Sequence, residues 1–321
     1  MKRRPPPAPF EPSGRLTGIG SLPGTSYAEA VRRVFRPAPD LFIPFLPELP
    51  RRARRDGMIA RTLGGLRGAR TRRDGTIEIG AGAGRAAGRI PLPPGFGPFL
   101  EAVSRSRPEF AKIQFAGPVT AALAARDAAG RPAISSGRLA ARVRSHVTRL
   151  AVAAGRAVAR RGARPVVFLD EPGLAAFWRD PRPFLAPVIA RLRREGFVTG
   201  VHCCAETDWP ALFDCRPDIV SFDAEISFAS VIRSRGALAR HLARGGSLGP
   251  GVVSTRRDAI PGAASALAWA RRLRRSRIPL SRLLLTPACG TGTLTAARDR
   301  GVWRQLGAIA AFLRRSPRRA R

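Results

Sequence analysis

The sharpest chemical signal in the sequence is His202-x-Cys204. On an extended segment, residues two apart point to the same side, so an imidazole and a thiolate face one point. Zinc accepts both, at about 2.0–2.1 Å for nitrogen and about 2.3 Å for sulfur. Cys289 is distant in sequence but ends another short apolar run, and Asp223 ends a third, where its carboxylate offers an oxygen. A single cysteine is ordinarily a small buried hydrophobe. Cys203, which points away from Cys204, and Cys215, in a connecting segment, fit that description. His202, Cys204 and Cys289 taken together at segment ends point to a metal site instead. The remaining histidines, His146 and His241, fall on helical stretches and are expected at the surface.

A second group of residues carries charge or exposed backbone. Asp170-Glu171-Pro172 closes an apolar run. A carboxylate there can grip a substrate ammonium or act as a base. Asp before Pro is also a good helix start. Both readings hold if Asp170 turns inward and Glu171 supports the turn. Glu48 lies just beyond another apolar run. Gly18-Ile19-Gly20-Ser21 is a glycine-containing strand end whose N–H groups suit a carboxylate or phosphate, although an ordinary turn has the same composition.

The elements that must position these groups alternate regularly. Short β-rich runs are expected at 15–21, 41–46, 112–116, 165–170, 197–203, 218–223, 247–253 and 283–288. Helices are expected at 26–36, 135–162, 181–195, 230–244, 258–275 and 294–314. Continuous apolar runs such as Val166-Val167-Phe168-Leu169 read as strands buried on both faces. Eight strands, most leading to a helix, predict an α/β fold, a single-domain (β/α)8 TIM barrel over 14–315. A doubly wound sheet is the competitor, but no G-x-G-x-x-G follows a strand. In a barrel, reactive groups sit at the C-terminal strand ends, where Ser21, Asp170, His202, Cys204, Asp223 and Cys289 fall. Residues 1–13 read as a flexible proline-rich arm and 316–321 as a basic tail. Residues 51–93 read as an Arg/Gly-rich loop with one short hairpin or helix.

Composition bounds the function. The chain has 321 residues and is 44% hydrophobic, enough for a large core. No run approaches the roughly 20 apolar residues of a membrane span. The basic start, Met1 to Arg4, leads into no apolar secretory core. Four cysteines exclude a disulfide scaffold, and a reducing cytoplasm is expected. The net charge of +35 would ordinarily point to a polyanion partner. However, only Lys2 and Lys112 are lysines, so 55 of the 57 basic residues are arginine. That skew reads as GC-rich codon usage rather than selection for phosphate contacts. With 7% aromatics the chain is poorly equipped for stacking on single strands. A basic nucleic-acid-binding protein is therefore an alternative, and no specific nucleic acid is expected.

The chain resembles the catalytic domain of cobalamin-independent methionine synthase, within the barrel superfamily that also holds uroporphyrinogen decarboxylase. The resemblance rests on Thr17-Gly18-Ile19-Gly20-Ser21-Leu22-Pro23, Ala116-Gly117-Pro118-Val119-Thr120 and Leu169-Asp170-Glu171-Pro172. It continues through His202-Cys203-Cys204, Pro217-Asp218-Ile219-Val220-Ser221-Phe222-Asp223 and Thr286-Pro287-Ala288-Cys289-Gly290. The segments run in family order from residue 14 to about 315. The resemblance implies a (β/α)8 barrel that methylates the thiol of homocysteine using Zn2+ held by His202, Cys204 and Cys289. Asp223 stands where the family has a glutamate ligand. Ile19 and Ser21 match the strand that holds the homocysteine carboxylate, and Asp170 and Glu48 match acids that hold its amino group.

The departures concern the methyl donor. The family's folate-stacking tryptophan falls at Ala124, a folate-contacting glutamate at Ala176, and a proton-relaying histidine near Arg256. The thiol-activating half of the site is kept, as in short members of the family. The donor is left as methyltetrahydrofolate or a methyl-corrinoid protein. A metal-free barrel enzyme like uroporphyrinogen decarboxylase is the enzymatic alternative, and it needs no Cys/His cluster.

Overall fold

A computed structural model describes residues 10–38, 40–53, 56–80, 90–256 and 262–315. Most of the expected arm, part of the 51–93 loop and the 316–321 tail lie outside the described residues.

The two short strands β1 (Ala69–Thr71) and β2 (Ile77–Ile79) form an antiparallel hairpin. They are followed by β3 (Phe110–Ala116), β4 (Arg164–Asp170), β5 (Val198–Cys203), β6 (Ile219–Asp223), β7 (Ser247–Val253) and β8 (Thr286–Pro287). These six form one curled parallel sheet in sequential order. The helices are α1 (Tyr27–Val34), α2 (Met58–Leu63), α3 (Phe96–Ser106), α4 (Pro118–Ala124), α5 (Gly137–Ala159) and α6 (Arg182–Arg194). They continue with α7 (Trp209–Asp214), α8 (Ala224–Arg233), α9 (Arg235–Ala243), α10 (Ala263–Arg275) and α11 (Ala296–Arg314). No helix among the described residues is long and apolar enough to cross a membrane.

The segments expected as the first two strands contribute isolated parallel bridges, Leu16 with Phe42 and Leu285, Ser21 with Glu48, and Phe45 with Lys112. Prolines explain the interruption: Pro44 and Pro47 have no N–H to offer a ladder. The bonds that remain are sound. Thr17 N donates to Leu285 O at 3.1 Å, Ile43 N to Leu16 O at 2.8 Å, and Lys112 N to Pro44 O at 2.8 Å. Gly18 and Gly20 have a packing reason. A Cβ would lie 2.3 Å from the Phe45 ring at Gly18, and 2.6 Å from Gln114 Nε2 at Gly20.

Strand parity sorts the side chains into two layers. Phe110, Val166, Phe168, Val198 and Ile219 form one apolar cluster on the concave face, joined by Phe10, Ile43 and Leu284. Ile113, Phe115, Val167, Leu169, Val201, Cys203, Val220 and Phe222 belong to the larger cluster shared with the helices. The concave parity continues to Lys112, Gln114, Asp170, His202, Ser221 and Asp223. The polar residues thus share one face because each stands an even number of positions from an apolar plug residue. Phe10 is buried and meets Phe110 edge-on at 5.0 Å, so the packed chain includes part of the stretch expected as arm.

Two expectations are corrected. His146 and His241 are 1% and 0% exposed, not at the surface. Nε2 of His146 is bonded to Thr62 O, and Nε2 of His241 to Ser247 O, both at 2.9 Å. Both rings sit on the apolar stripe of their helices, beside Val143 and Val147 on α5 and Leu238 on α9. The helix expected at 230–244 is two helices, α8 and α9, meeting at Ser234.

Candidate metal centre and adjoining polar pocket

Ligand atoms of His202, Cys204 and Cys289 all lie within 4.8 Å of one another. His202 is held by the neighbouring strand: Nδ1 lies 3.0 Å from Ser221 Oγ. Nε2 is buried and has no hydrogen-bond partner. Cys204 follows the end of β5, and Cys289 leaves β8 just before Gly290. A Cβ at Gly290 would lie 2.0 Å from Ser21 Oγ, so glycine lets the Cys289 turn close against Ser21. The same turn is tied by Gly292 N donating to Ser21 Oγ at 3.1 Å and Thr291 N donating to Ser21 O at 2.9 Å.

The Cys204 and Cys289 thiols lie close enough to shift one another's titration in opposite directions. The Cys289 thiol hydrogen-bonded to Cys204, followed by His202, draws the Cys204 pKa down to about 4. The same bond, with burial, pushes Cys289 up. Cys203 and Cys215 are buried structural residues, and burial pushes both up to about 12.

Asp223 does not join the three-residue group. Its Oδ1 accepts from Glu225 N at 2.9 Å, capping α8, and its Oδ2 lies 3.6 Å from Arg256 Nη2. Burial raises its pKa. Arg256 also donates to the Cys204 carbonyl, so it clips the metal-site turn to the Asp223 strand.

Asp170 is the register partner of His202. It is 5% exposed and its Oδ1 has no hydrogen-bond partner. Desolvation pushes its pKa up to about 7, opposed by Lys112 and His202. Glu171 is turned the other way. It accepts from Val119 N at 3.0 Å, Thr120 N at 2.7 Å and Thr120 Oγ1 at 2.6 Å, at the start of α4. Burial pushes it up to about 7 against those bonds. Glu48 and Ser21 are bridge partners, with Glu48 N donating to Gly20 O at 3.0 Å. Ser21 and Glu48 are thus paired with each other, and Asp170 is the register partner of Ala116 at the end of β3.

Two neighbouring residues carry no motif in the sequence. Lys112 is 1% exposed and Gln114 1%. Lys112 Nζ donates to Ile19 O at 2.7 Å and to Gln114 Oε1 at 3.2 Å. Gln114 Nε2 donates to Glu48 Oε1 at 2.9 Å and Leu46 O at 2.7 Å. Desolvation lowers the Lys112 pKa to about 8, against the pull of Asp170 and Glu48. The signal for both was the polar i, i+2 pair inside Phe110-Ala111-Lys112-Ile113-Gln114-Phe115, on the parity of the plug residue Phe110.

No family model and no curated protein matches the chain. Solved structures do. A B12-independent methionine synthase from Shewanella sp. W3-18-1, in complex with selenomethionine, superposes with a TM-score of 0.65 at 16% identity, covering 96% of this chain and 98% of that one. A Listeria monocytogenes structure, assigned as a vitamin-B12-independent methionine synthase, gives 0.55 at 16% identity, covering 95% and 97%. At this identity the likeness establishes a shared fold across nearly the full length of both chains.

Proposed function

We propose that this chain is a zinc-dependent methyltransferase that converts the thiol of homocysteine into the methyl thioether of methionine, on a closed (β/α)8 barrel. The observation that carries the reading is the convergence of His202, Cys204 and Cys289, from β5 and β8, on one point at the C-terminal ends of the strands. Hydrogen bonds from the 15–22 and 41–48 segments to β8 and β3 support closure of the ring.

The residues fit the metal. One nitrogen and two sulfurs are a donor set that zinc favours. The buried Nε2 of His202 has no hydrogen-bond partner at ordinary geometry and, beside the two thiols, is a donor atom open to an ion. In this reading His202, Cys204 and Cys289 hold the ion, and Asp223 joins them only by leaving Arg256. Zinc at this site supplies Lewis acidity that keeps a substrate thiol deprotonated near neutral pH, where a free thiol with a pKa of about 8.5 is mostly protonated.

The protein's own groups place the substrate. Asp170 and Glu48 accept its ammonium, and the backbone N–H groups of Ile19 and Ser21 hold its carboxylate. Fixing both ends aims the sulfur and supplies orientation. The thiol proton leaves to solvent beforehand; the sulfur then forms a bond to the methyl carbon as the donor–methyl bond breaks, and that bond's electron pair stays with the donor. The donor, a methyltetrahydrofolate or a methyl-corrinoid protein, approaches the open mouth. There the loops after β4 and β5 frame a pocket of about 470 Å³ that includes the exposed Trp178. The free thiols of the site suit the reducing cytoplasm.

The test is to incubate zinc-loaded protein with homocysteine and each donor class and to measure methionine. Methionine from one donor, lost in Cys289→Ser, is the expected result. No methionine from any donor, with the metal bound and the fold intact, contradicts the reading.

A further inference from the structure

Lys112 is a buried charged residue to which this scheme gives no task. Its chemical type is itself informative. In a chain where 55 of 57 basic residues are arginine, a lysine in the packed interior marks a place that a broad planar guanidinium does not fit. An ammonium is compact and has three donors. Two of them are spent on Ile19 O and Gln114 Oε1, and the Nζ lies 4.6 Å from the centre of the Phe168 ring. Gln114 passes the hold on to Glu48 and Leu46. One ammonium therefore ties together the strand end bearing Ile19 and Ser21 and, through Gln114, the carboxylate of Glu48.

Lys112 has Asp170 and Glu48 as its charged neighbours. Asp170 also faces His202 and Cys204, and Lys112, Asp170 and Glu48 are all buried. Buried charge without a partner is costly. The unpartnered Oδ1 of Asp170 is an acceptor open to a further cation of ammonium size.

We infer that Lys112 is a positioning residue that shapes this place for an α-amino acid, by anchoring the Ile19 peptide and, through Gln114, the Glu48 carboxylate. The inference rests on the proposed reading of the pocket as the amino-acid subsite. Lys112 does not touch the sulfur or the metal ligands; it acts through Ile19, Gln114 and the two acids.

The test uses the two-lysine composition. Full-length protein labelled with carbon-13 in lysine alone gives two side-chain signals, and the one lost in Lys112→Met is that of Lys112. L-methionine is expected to shift that signal and leave that of Lys2 in place. By calorimetry, Lys112→Met and Lys112→Arg should bind L-methionine about tenfold or more weakly, the size of one charge-assisted hydrogen bond, with metal content kept and the melting temperature lowered. The desamino analogue of methionine should bind wild type more weakly than L-methionine does. Unchanged affinity in Lys112→Met overturns the inference and leaves the proposed function standing. A wild-type protein that binds no L-methionine overturns the amino-acid reading of the pocket and this inference with it. Should Lys112→Met fail to fold, the wild-type signals decide: if both stay unmoved at saturating L-methionine, the inference is wrong.

Discussion

Nδ1 of His202 lies 3.0 Å from Oγ of Ser221, its register partner on the adjacent strand. With Nδ1–H donating to the hydroxyl, the Nε2 lone pair is directed away from Ser221. This is how a second residue fixes the tautomer of a metal-ligating imidazole. Ser221→Ala should therefore keep the fold and weaken zinc binding by about 10–100-fold, the usual cost of losing such a partner. Competition against a chromophoric chelator measures it. Wild-type affinity in the variant would show that the ring is held by packing alone.

Asp223 and Arg256 make a separate prediction. The carboxylate caps α8 and pairs with the guanidinium rather than joining the three ligands. Asp223→Asn should retain the metal at wild-type stoichiometry, whereas His202→Ala should not. Loss of the ion in both variants would make Asp223 a fourth ligand.

Glu171 is the stability residue of the Asp170-Glu171 pair. Replacing it with alanine leaves two N–H groups and one hydroxyl unpaired at the start of α4. The cost is about 3 kcal/mol or more, as for other broken buried charge networks. Denaturant unfolding of the metal-free protein should show it, with metal binding retained after refolding. Gly117→Ala should act on the same contact, since its Cβ would lie 2.2 Å from Glu171 Oε1. A Glu171→Ala protein of wild-type stability would refute the assignment.

His241 predicts a pH dependence. Both ring nitrogens are used in the neutral form, Nε2 toward Ser247 O and Nδ1 toward Arg244. Burial lowers its pKa from 6.5 to about 4. A folded pKa below the unfolded one means that the unfolded chain binds more protons between those values. The contribution is complete above pH 6.5 and is lost as the pH falls toward 4. It amounts to about 3 kcal/mol at 1.36 kcal/mol per pKa unit. Melting curves of the metal-free wild type and His241→Gln should converge by roughly that amount on acidification. Parallel curves would contradict the assignment.

The sequence shows the sheet more clearly than it shows the pocket. The continuous apolar run Val166 to Leu169 marked β4 as a strand buried on both faces, and shorter β-rich runs marked β5 to β7. The candidate ligands His202, Cys204 and Cys289 were legible because histidine and cysteine are rare in this chain and these three fall at strand ends. Lys112 and Gln114 were not, since polar residues in an apolar strand look like a weak strand until the parity of Phe110 and Phe168 is known. His146 and His241 carried a signal in their helical spacing to buried valine and leucine, outweighed by the expectation that a polar ring faces water. Helix α4 shows no amphipathic stripe because Pro118 to Ala122 are all buried. Pro44 and Pro47 hid from the pattern that the 41–48 run makes bridges rather than a ladder.

Metal analysis of the purified chain tests the central claim most directly. One zinc ion per chain is expected, absent from His202→Ala and from Cys289→Ser while their circular dichroism matches wild type. Wild-type protein that remains metal-free after zinc loading, with its native spectrum, would contradict it.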